Sequence, residues 1–398
     1  MKLLPVSEWF EEWVQGPLFI AGPCSAESKE QLLATASELT GRATPHIFRA
    51  GVWKPRTRPG TFNGVGTEGL KWLVETGLTY RMRTATEAAT GKHAEACLKA
   101  GVDIIWIGAR TVSNPFSVDD IAEALRGADI PVLVKNPLNP DIDLWIGALE
   151  RISRAGITRM AAVHRGFSPF ERTRYRNMPK WEIPIELRRR YRKLPIICDP
   201  SHIAGDTRYV KEIAQKAMDM NLDGLMTEVH HDPSTALSDA SQQLTPAAYR
   251  RMISQLVVRK AFADDPGFLN QLEEMRNQVD SVDHQLVELI AHRMELSDQI
   301  GEYKCINNVA VLQMERWLEI LRTRMGQASE AGLDRKFTEA LLKLIHQESI
   351  RRQTGVMSRM KAKGQCLSGR DGVGYGDNNI DDDNKGKGCH PGEDKKKN

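Results

Sequence analysis

The chain is poor in the features that would place it outside an ordinary soluble fold. Only six of its 398 residues are cysteine, and they are irregularly spaced. A disulfide framework is therefore not expected, and a reducing compartment would leave the thiols free for packing or for metal. Aromatic residues make up 6% of the chain and its mean hydropathy is −0.42. No apolar run approaches the roughly 18 residues of a membrane span, and the opening MKLLPVSEWFEEWVQG carries too many acids for a secretory leader. A cytoplasmic location follows as the expectation, with no membrane partner. Charge of one sign is also missing: 55 basic against 52 acidic residues give a formal +3. No global field favours nucleic acid, so any anion site must be local.

What is present is a repeated pattern. Eight short apolar runs each end in polar or charged residues: LFIAGPCS, HIFRAG, TYRMRT, IIWIGAR, VLVKNP, MAAVHRG, IICDPSH and GLMTEVHH. Helical patterns follow at 27–42, 67–76, 86–100, 117–126, 141–155, 181–191, 209–220 and 246–262. This alternation predicts an α/β fold, a closed (β/α)₈ TIM barrel over residues 1–263, in preference to an open doubly wound sheet. Loops after the strand ends would then meet at one face, so residues far apart in sequence share a site.

The segment DDPGF at 264–268 breaks the last helix with Pro266 and Gly267 and reads as a linker. Beyond it, Leu272, Met275, Val279, Val282, Leu286, Leu289, Ile290, Met294, Leu296 and Ile300 recur at helical spacing. The spacing predicts a small all-α domain over 269–357: one long helix to about Lys304, then helices near 312–327 and 333–356. A helix of that length is hard to bury in a three-helix unit, so a homodimer through this region is expected, with a higher homo-oligomer open. Residues 358–398 are rich in Gly, Asp, Asn and Lys and read as a disordered tail.

Two sets of chemistry converge on the strand ends. Cys24, His202, Glu228 and Asp239 offer sulfur, imidazole and two carboxylates, a mixed set that suits a divalent transition ion: Mn²⁺ first, with Co²⁺, Fe²⁺ or Zn²⁺ as alternatives. His230 and His231, beside Glu228, are rival ligands. Arg49, Lys54, Arg56, Arg110, Lys135 and Arg165 form a cationic set suited to a ligand bearing phosphate and carboxylate. The prolines of KPRTRPG would hold Lys54, Arg56 and Thr57 in a rigid loop.

The strings AGPCSAES, FRAGVWKPRTRPGTFNGVG, IWIGARTVSNPF, VLVKNP, VHRGF, CDPSHIAGD and TEVHHDPSTALSDASQQL together make the first ~260 residues resemble the short form of 3-deoxy-D-arabino-heptulosonate 7-phosphate (DAHP) synthase. The resemblance implies condensation of phosphoenolpyruvate with erythrose 4-phosphate, releasing phosphate. It makes Cys24, His202, Glu228 and Asp239 ligands of a metal acting as Lewis acid on the aldehyde. It assigns phosphoenolpyruvate to Arg49, Lys54, Arg110, Lys135 and Arg165, and the sugar phosphate to Arg56 and Thr57, with Lys54 a candidate proton carrier. The related 3-deoxy-D-manno-octulosonate 8-phosphate synthase is the rival, and the Lys54–Thr57 string argues against it.

On the long helix Arg276, Arg293 and Lys304 are 17 and 11 residues apart; eleven is close to three whole turns and puts Arg293 and Lys304 on one face, with Arg276 about a quarter-turn round from them. The segments EEMRNQVDSVDHQLVELIAHRMELSDQIGEYK, MERW and HQESIRRQ are similar to the all-helical chorismate mutase family. That resemblance implies an intertwined dimer in which Arg276 reaches the partner's site. Arg293 and Arg316 would bind carboxylates, with Ser349 in the same polar set, and Lys304 with Gln353 would meet the ether oxygen of chorismate. Gln313 and Trp317 stand where many members carry acids, and Trp317 cannot accept a hydrogen bond. The fusion further implies feedback inhibition by prephenate or chorismate. The alternative is a synthase whose helical domain is a non-catalytic ligand-sensing and dimerisation module.

Overall fold

Seven of the eight apolar runs form short parallel strands, almost entirely buried, as strands covered on both faces must be, while TYRMRT holds the end of a helix and a turn and its strand starts only at Arg83. The strands are β1 (Leu18–Gly22), β2 (Ile47–Arg49), β3 (Arg83–Ala88), β4 (Ile104–Ile107), β5 (Val132–Lys135), β6 (Met160–His164), β7 (Ile196–Cys198) and β8 (Gly224–Glu228). Neighbours pair in sequence order and β1 pairs with β8 from Leu18↔Gly224 to Gly22↔Glu228, closing the barrel. This computed structural model describes residues 1–10, 16–41, 43–55, 60–170, 173–259 and 266–366. The chain divides into two compact units, Met1–Ala263 and Asp264–Asn398.

The barrel interior is filled by side chains such as Leu18, Ile20, Ile47, Trp106, Leu133 and Met226, with Trp9 packed among them. A second apolar layer lies between the strands and the helices around them. These are α1 (Lys29–Leu39), α2 (Thr67–Tyr80), α3 (Gly91–Ala100), α4 (Ala109–Val112), α5 (Pro115–Ala124), α6 (Ile142–Arg154), α7 (Glu182–Arg190), α8 (Pro200–Ala204), α9 (Thr207–Asp219) and α10 (Pro246–Gln255). Their starts are set by side-chain caps: Ser28, Thr90, Asp141, Asp206 and Thr245 each accept a first-turn backbone N–H. Two expected boundaries move. The helix expected from residue 86 begins at Gly91, because 86–88 finish β3, and the last barrel helix ends at Gln255 rather than near 262.

The second unit holds α11 (Pro266–Ile306), α12 (Met314–Glu330) and α13 (Arg335–Ala362). Helix α11 already starts at Pro266, inside the expected linker, since proline is tolerated in a first turn. Helix α13 runs on to Ala362, past the expected start of the tail. Residues 367–398 of that tail lie outside the described residues. Contacts of Arg293 with Ser349, Asp298 with Arg352 and Gly301 with Gln353 advance together, so α11 and α13 run parallel. That direction brings their C-terminal ends together, where Cys305 is joined to Cys366 by a disulfide. The expectation of free thiols therefore fails for this pair, while Cys24, Cys97 and Cys198 are free and buried.

Candidate functional site

The C-terminal ends of the strands surround a small cavity of about 70 Å³. Lys54, Arg110, Lys135, Arg165 and Arg176 bring five cations to its wall, against the carboxylates of Glu87 and Asp239. A larger cavity of about 950 Å³, walled by Leu3–Glu8 and the residues leading into β7 and β8, also carries the cations Arg188, Arg192, Lys193 and Arg259, but neither thiol nor imidazole joins them. Chemistry rather than size marks the site.

Cys24 lies two residues beyond β1. Its Sγ is 3.3 Å from Asp239 Oδ2 and 2.9 Å from Lys54 Nζ, and Lys54 Nζ also donates to Cys24 O at 3.1 Å. One ligand atom from each of Cys24, Glu228 and Asp239 falls within 4.8 Å of the others. His202, on the first turn of α8, approaches this group with Nε2 3.8 Å from Glu228 Oε1 and stands outside the tighter trio. Of the rival ligands, His230 faces Glu27 at 3.9 Å and His231 contacts Thr35, so neither joins the trio.

Burial, reinforced by the Glu228 carboxylate, pushes the Cys24 thiol up to about 12. Burial also opposes ionisation of Glu228, but His202 and Arg49 outweigh it and hold that carboxyl at about 2. A buried thiol and two carboxylates so close repel once ionised. A divalent cation among them would remove the repulsion and deprotonate the thiol. The donor set therefore fits a transition ion.

The cations around this group are not equivalent. Arg49 is fully buried on β2, donating to Glu228 Oε1 at 2.9 Å and Cys24 O at 3.1 Å, with its guanidinium 4.6 Å from the Trp106 ring. Expected at the phosphate, it is instead fixed against the carboxylate and is not part of the cavity wall. Gly22 permits the Arg49 backbone to pass close to β1: a Cβ there would meet Arg49 O at 2.1 Å. Lys135 ends β5 and pairs with buried Asp199 at 2.8 Å. Arg165 donates to Asn177 Oδ1 at 2.9 Å. Burial lowers its guanidinium to about 10, with like charge from Arg176 and Arg110 adding to the effect and Asp199 opposing it. Arg56 and Thr57 lie outside the described residues.

Asp199, Arg176 and Gln242 belong to this arrangement without having been singled out in the sequence. Asp199 caps α8 by accepting from His202 N at 3.0 Å, and its Oδ2 stands 2.8 Å from both Lys135 Nζ and His202 Nδ1. Its place in DPSH, at a strand end three residues before His202, was the available signal. Arg176 donates to Asp239 Oδ1 at 3.0 Å and to Gln242 Oε1 at 2.6 Å. Gln242 in turn donates to Glu228 Oε2 at 2.6 Å. Arg176 sits twelve residues past the end of β6, so the strand-end pattern could not reveal it.

The helical unit has its own cavity of about 610 Å³, and Arg293, Lys304, Gln313, Arg316, Ser349 and Gln353 all line it. Arg293 donates to Ser349 Oγ at 2.5 Å and Lys304 Nζ to Val311 O at 2.6 Å. Burial lowers both cations from their ordinary values. Arg276 is not in this wall; its guanidinium is 63% exposed and lies 3.7 Å from Glu273. The apolar face of α11 around it is also exposed: Val279, Val282, Leu286 and Leu289 keep 50–65% of their surface.

Comparison with known proteins places these two sites among relatives. Residues 15–260 match the DAHP synthetase I family, and residues 275–354 match chorismate mutase type II. The chain is 34% identical over 248 residues to phospho-2-dehydro-3-deoxyheptonate aldolase of Thermotoga maritima, spanning 62% of this chain and 70% of that one. It is 27% identical over 263 residues to 2-dehydro-3-deoxyphosphooctonate aldolase of Wolinella succinogenes, covering 60% and 98%. The T-protein of Haemophilus influenzae matches over 82 residues at 32% identity, 21% of this chain and 22% of that one. The crystal structure of the Thermotoga maritima DAHP synthase superposes with a TM-score of 0.54 at 32% identity, covering 61% of this chain and 68% of that one.

Proposed function

The chain belongs to the DAHP synthetase I family and carries a chorismate mutase type II domain behind its barrel, a bifunctional shikimate-pathway enzyme; from that premise we propose how its residues divide the work. The observation that carries the barrel reading is the convergence of five cations on one cavity beside a sulfur, imidazole and carboxylate donor set. Arg110, Lys135 and Arg165 bind the phosphate and carboxylate of phosphoenolpyruvate, and crowding among Arg165, Arg176 and Arg110 is relieved when that anion enters. Arg49 holds Glu228 rather than substrate.

Cys24, His202, Glu228 and Asp239 would hold a divalent metal, Mn²⁺ foremost, which when bound supplies Lewis-acid polarisation of the aldehyde. C3 of phosphoenolpyruvate bonds to the aldehyde carbon of erythrose 4-phosphate, water adds at C2, and the C–O bond to phosphate breaks. Lys54 Nζ, beside Cys24 Sγ, gives a proton to the new hydroxyl oxygen in this reading. Asp199 keeps Lys135 and His202 oriented through its two short contacts.

In the helical unit Arg293 and Arg316 bind the two carboxylates of chorismate, while Lys304 and the Gln353 amide stabilise charge on the breaking ether oxygen. The exposed apolar face of α11, with Arg276 on the same helix, supports a dimer in which Arg276 serves the partner's cavity. Prephenate or chorismate bound there is proposed to inhibit the synthase. A coupled assay of the full chain tests these readings: phosphate release from phosphoenolpyruvate only with erythrose 4-phosphate present, chorismate consumption, and lower phosphate release with added prephenate. Absence of phosphate release with metal supplied would overturn the barrel reading.

A further inference from the structure

Two residues in the wall of the helical cavity have no part in the reaction as described. Trp317 on α12 and His346 on α13 lie flat against one another, with ring centroids 3.8 Å apart and planes 7° apart. His346 Nε2 is buried and has no hydrogen-bond partner among the described residues. Burial and the positive charges of Arg293 and Lys304 lower this imidazole from its ordinary value. The ring is therefore neutral at pH 7, with one nitrogen a donor and the other an acceptor.

Chorismate presents two carboxylates, an ether oxygen and one ring hydroxyl. Arg293, Arg316 and Lys304 match the first three, but guanidinium and ammonium groups only donate. None of them can receive the hydroxyl's proton. Ser349 Oγ already accepts from Arg293 and donates to Ile345 O. The Gln353 amide N–H is committed to the ether oxygen in the reading above, which leaves its buried Oε1 without a partner, and Gln313 brings a second amide oxygen to the wall. Trp317 offers only an indole N–H. Beside these amide oxygens stands the neutral imidazole nitrogen of His346, whose plane a stacked ring holds and which is costly to leave unsatisfied.

We propose that His346 Nε2 accepts the ring hydroxyl of chorismate, with Trp317 fixing the imidazole plane by stacking, so that this pair sets selectivity for the hydroxylated substrate. The proposal rests on the reading of this cavity as the chorismate site. His346 carries the proton on Nδ1 in this arrangement. Trp317 contributes a rigid surface rather than a polar contact.

The test compares chorismate with its analogue bearing hydrogen in place of the hydroxyl, using the full chain and reading both turnover and binding. Wild type is expected to favour chorismate in kcat/KM by about threefold to tenfold, the range of one neutral hydrogen bond. His346→Leu should bring the ratio close to one, and Trp317→Phe should keep it. A His346→Leu protein that retains the wild-type ratio, or loses both substrates equally, overturns the proposal. Should wild type neither bind nor convert chorismate, the chorismate reading of the cavity itself falls.

Discussion

Asp199 offers the sharpest test of how the barrel site is held together. It is fully buried, and its Oδ2 lies 2.8 Å from both Lys135 Nζ and His202 Nδ1. Asp199→Asn keeps the shape and can still cap α8 through its carbonyl, but it leaves the Lys135 ammonium, 6% exposed, without its counter-charge. Breaking a buried pair on one side costs about 3–5 kcal/mol. For a domain of this size, each kcal/mol shifts the midpoint by about 2–4 °C, so a fall of about 6–20 °C in barrel melting is expected. Loss of the group that orients Lys135 and His202 should also lower condensation by about 10–100-fold. The double substitution Lys135→Met with Asp199→Asn removes the stranded charge and should recover most of the melting temperature, while condensation stays lost. The measurements are calorimetric melting and phosphate release. Melting of Asp199→Asn within about 2 °C of wild type, well under the shift expected for a broken buried pair, would refute the reasoning.

Other expectations follow from the same geometry. Chelation of divalent ions should abolish condensation, with Mn²⁺ restoring it, while chorismate consumption in the same sample is unchanged, since no donor trio exists in the helical cavity among the described residues. Lys304→Ala should cut chorismate turnover by about 10²–10³-fold, as removal of a preorganised donor does, with little effect on melting because among the described residues Lys304 Nζ bonds to Val311 O alone. Mixing Arg276→Ala chains with Lys304→Ala chains should restore mutase activity to about a quarter of the wild-type sites, as a two-fold dimer sharing Arg276 requires; no recovery would place Arg276 within its own chain's site or outside catalysis. Gly22→Ala should destabilise the barrel by about 1–3 kcal/mol, because φ is +151° and the new Cβ meets Arg49 O at 2.1 Å.

The barrel was legible because strands buried on both faces must be continuous apolar runs, and a run that ends in Cys24, Lys135 or His164 announces where the buried layer stops. Direction was harder to read than position. Arg49 and Lys135 both end strands, and nothing in their spacing shows that Arg49 turns toward Glu228 while Lys135 lines the cavity. Arg176 was invisible for a related reason: it comes from a loop, where no period ties a residue to a face. In the helical unit the 3.6-residue period placed Arg293 and Lys304 on one cavity. Arg276, about a quarter-turn round the helix from Arg293, lies outside that cavity, and the period alone does not say what its side of the helix meets. The Trp317–His346 stack depends on how α12 packs against α13, which no single helix period contains.

Feedback, if carried by the helical unit, has a consequence that follows from thermodynamics alone. A ligand that weakens phosphoenolpyruvate binding by some factor must itself be weakened by the same factor when phosphoenolpyruvate is bound. Prephenate affinity measured by calorimetry should therefore fall in the presence of saturating phosphoenolpyruvate by the ratio that prephenate imposes on phosphoenolpyruvate binding. A coupling of about 1–3 kcal/mol corresponds to a shift of about 5–150-fold. The two measurements use different ligands, different sites and no turnover, so their agreement does not depend on which step limits either reaction. Inhibition of phosphate release with prephenate affinity unmoved by phosphoenolpyruvate would mean that prephenate acts on the rate of condensation; prephenate competing at the cations of the barrel mouth would instead lose affinity progressively as phosphoenolpyruvate rises. Arg316→Ala separates these cases. It lines the helical cavity and is absent from the barrel cavity, so inhibition that survives its removal belongs to the barrel, and inhibition that vanishes belongs to the helices.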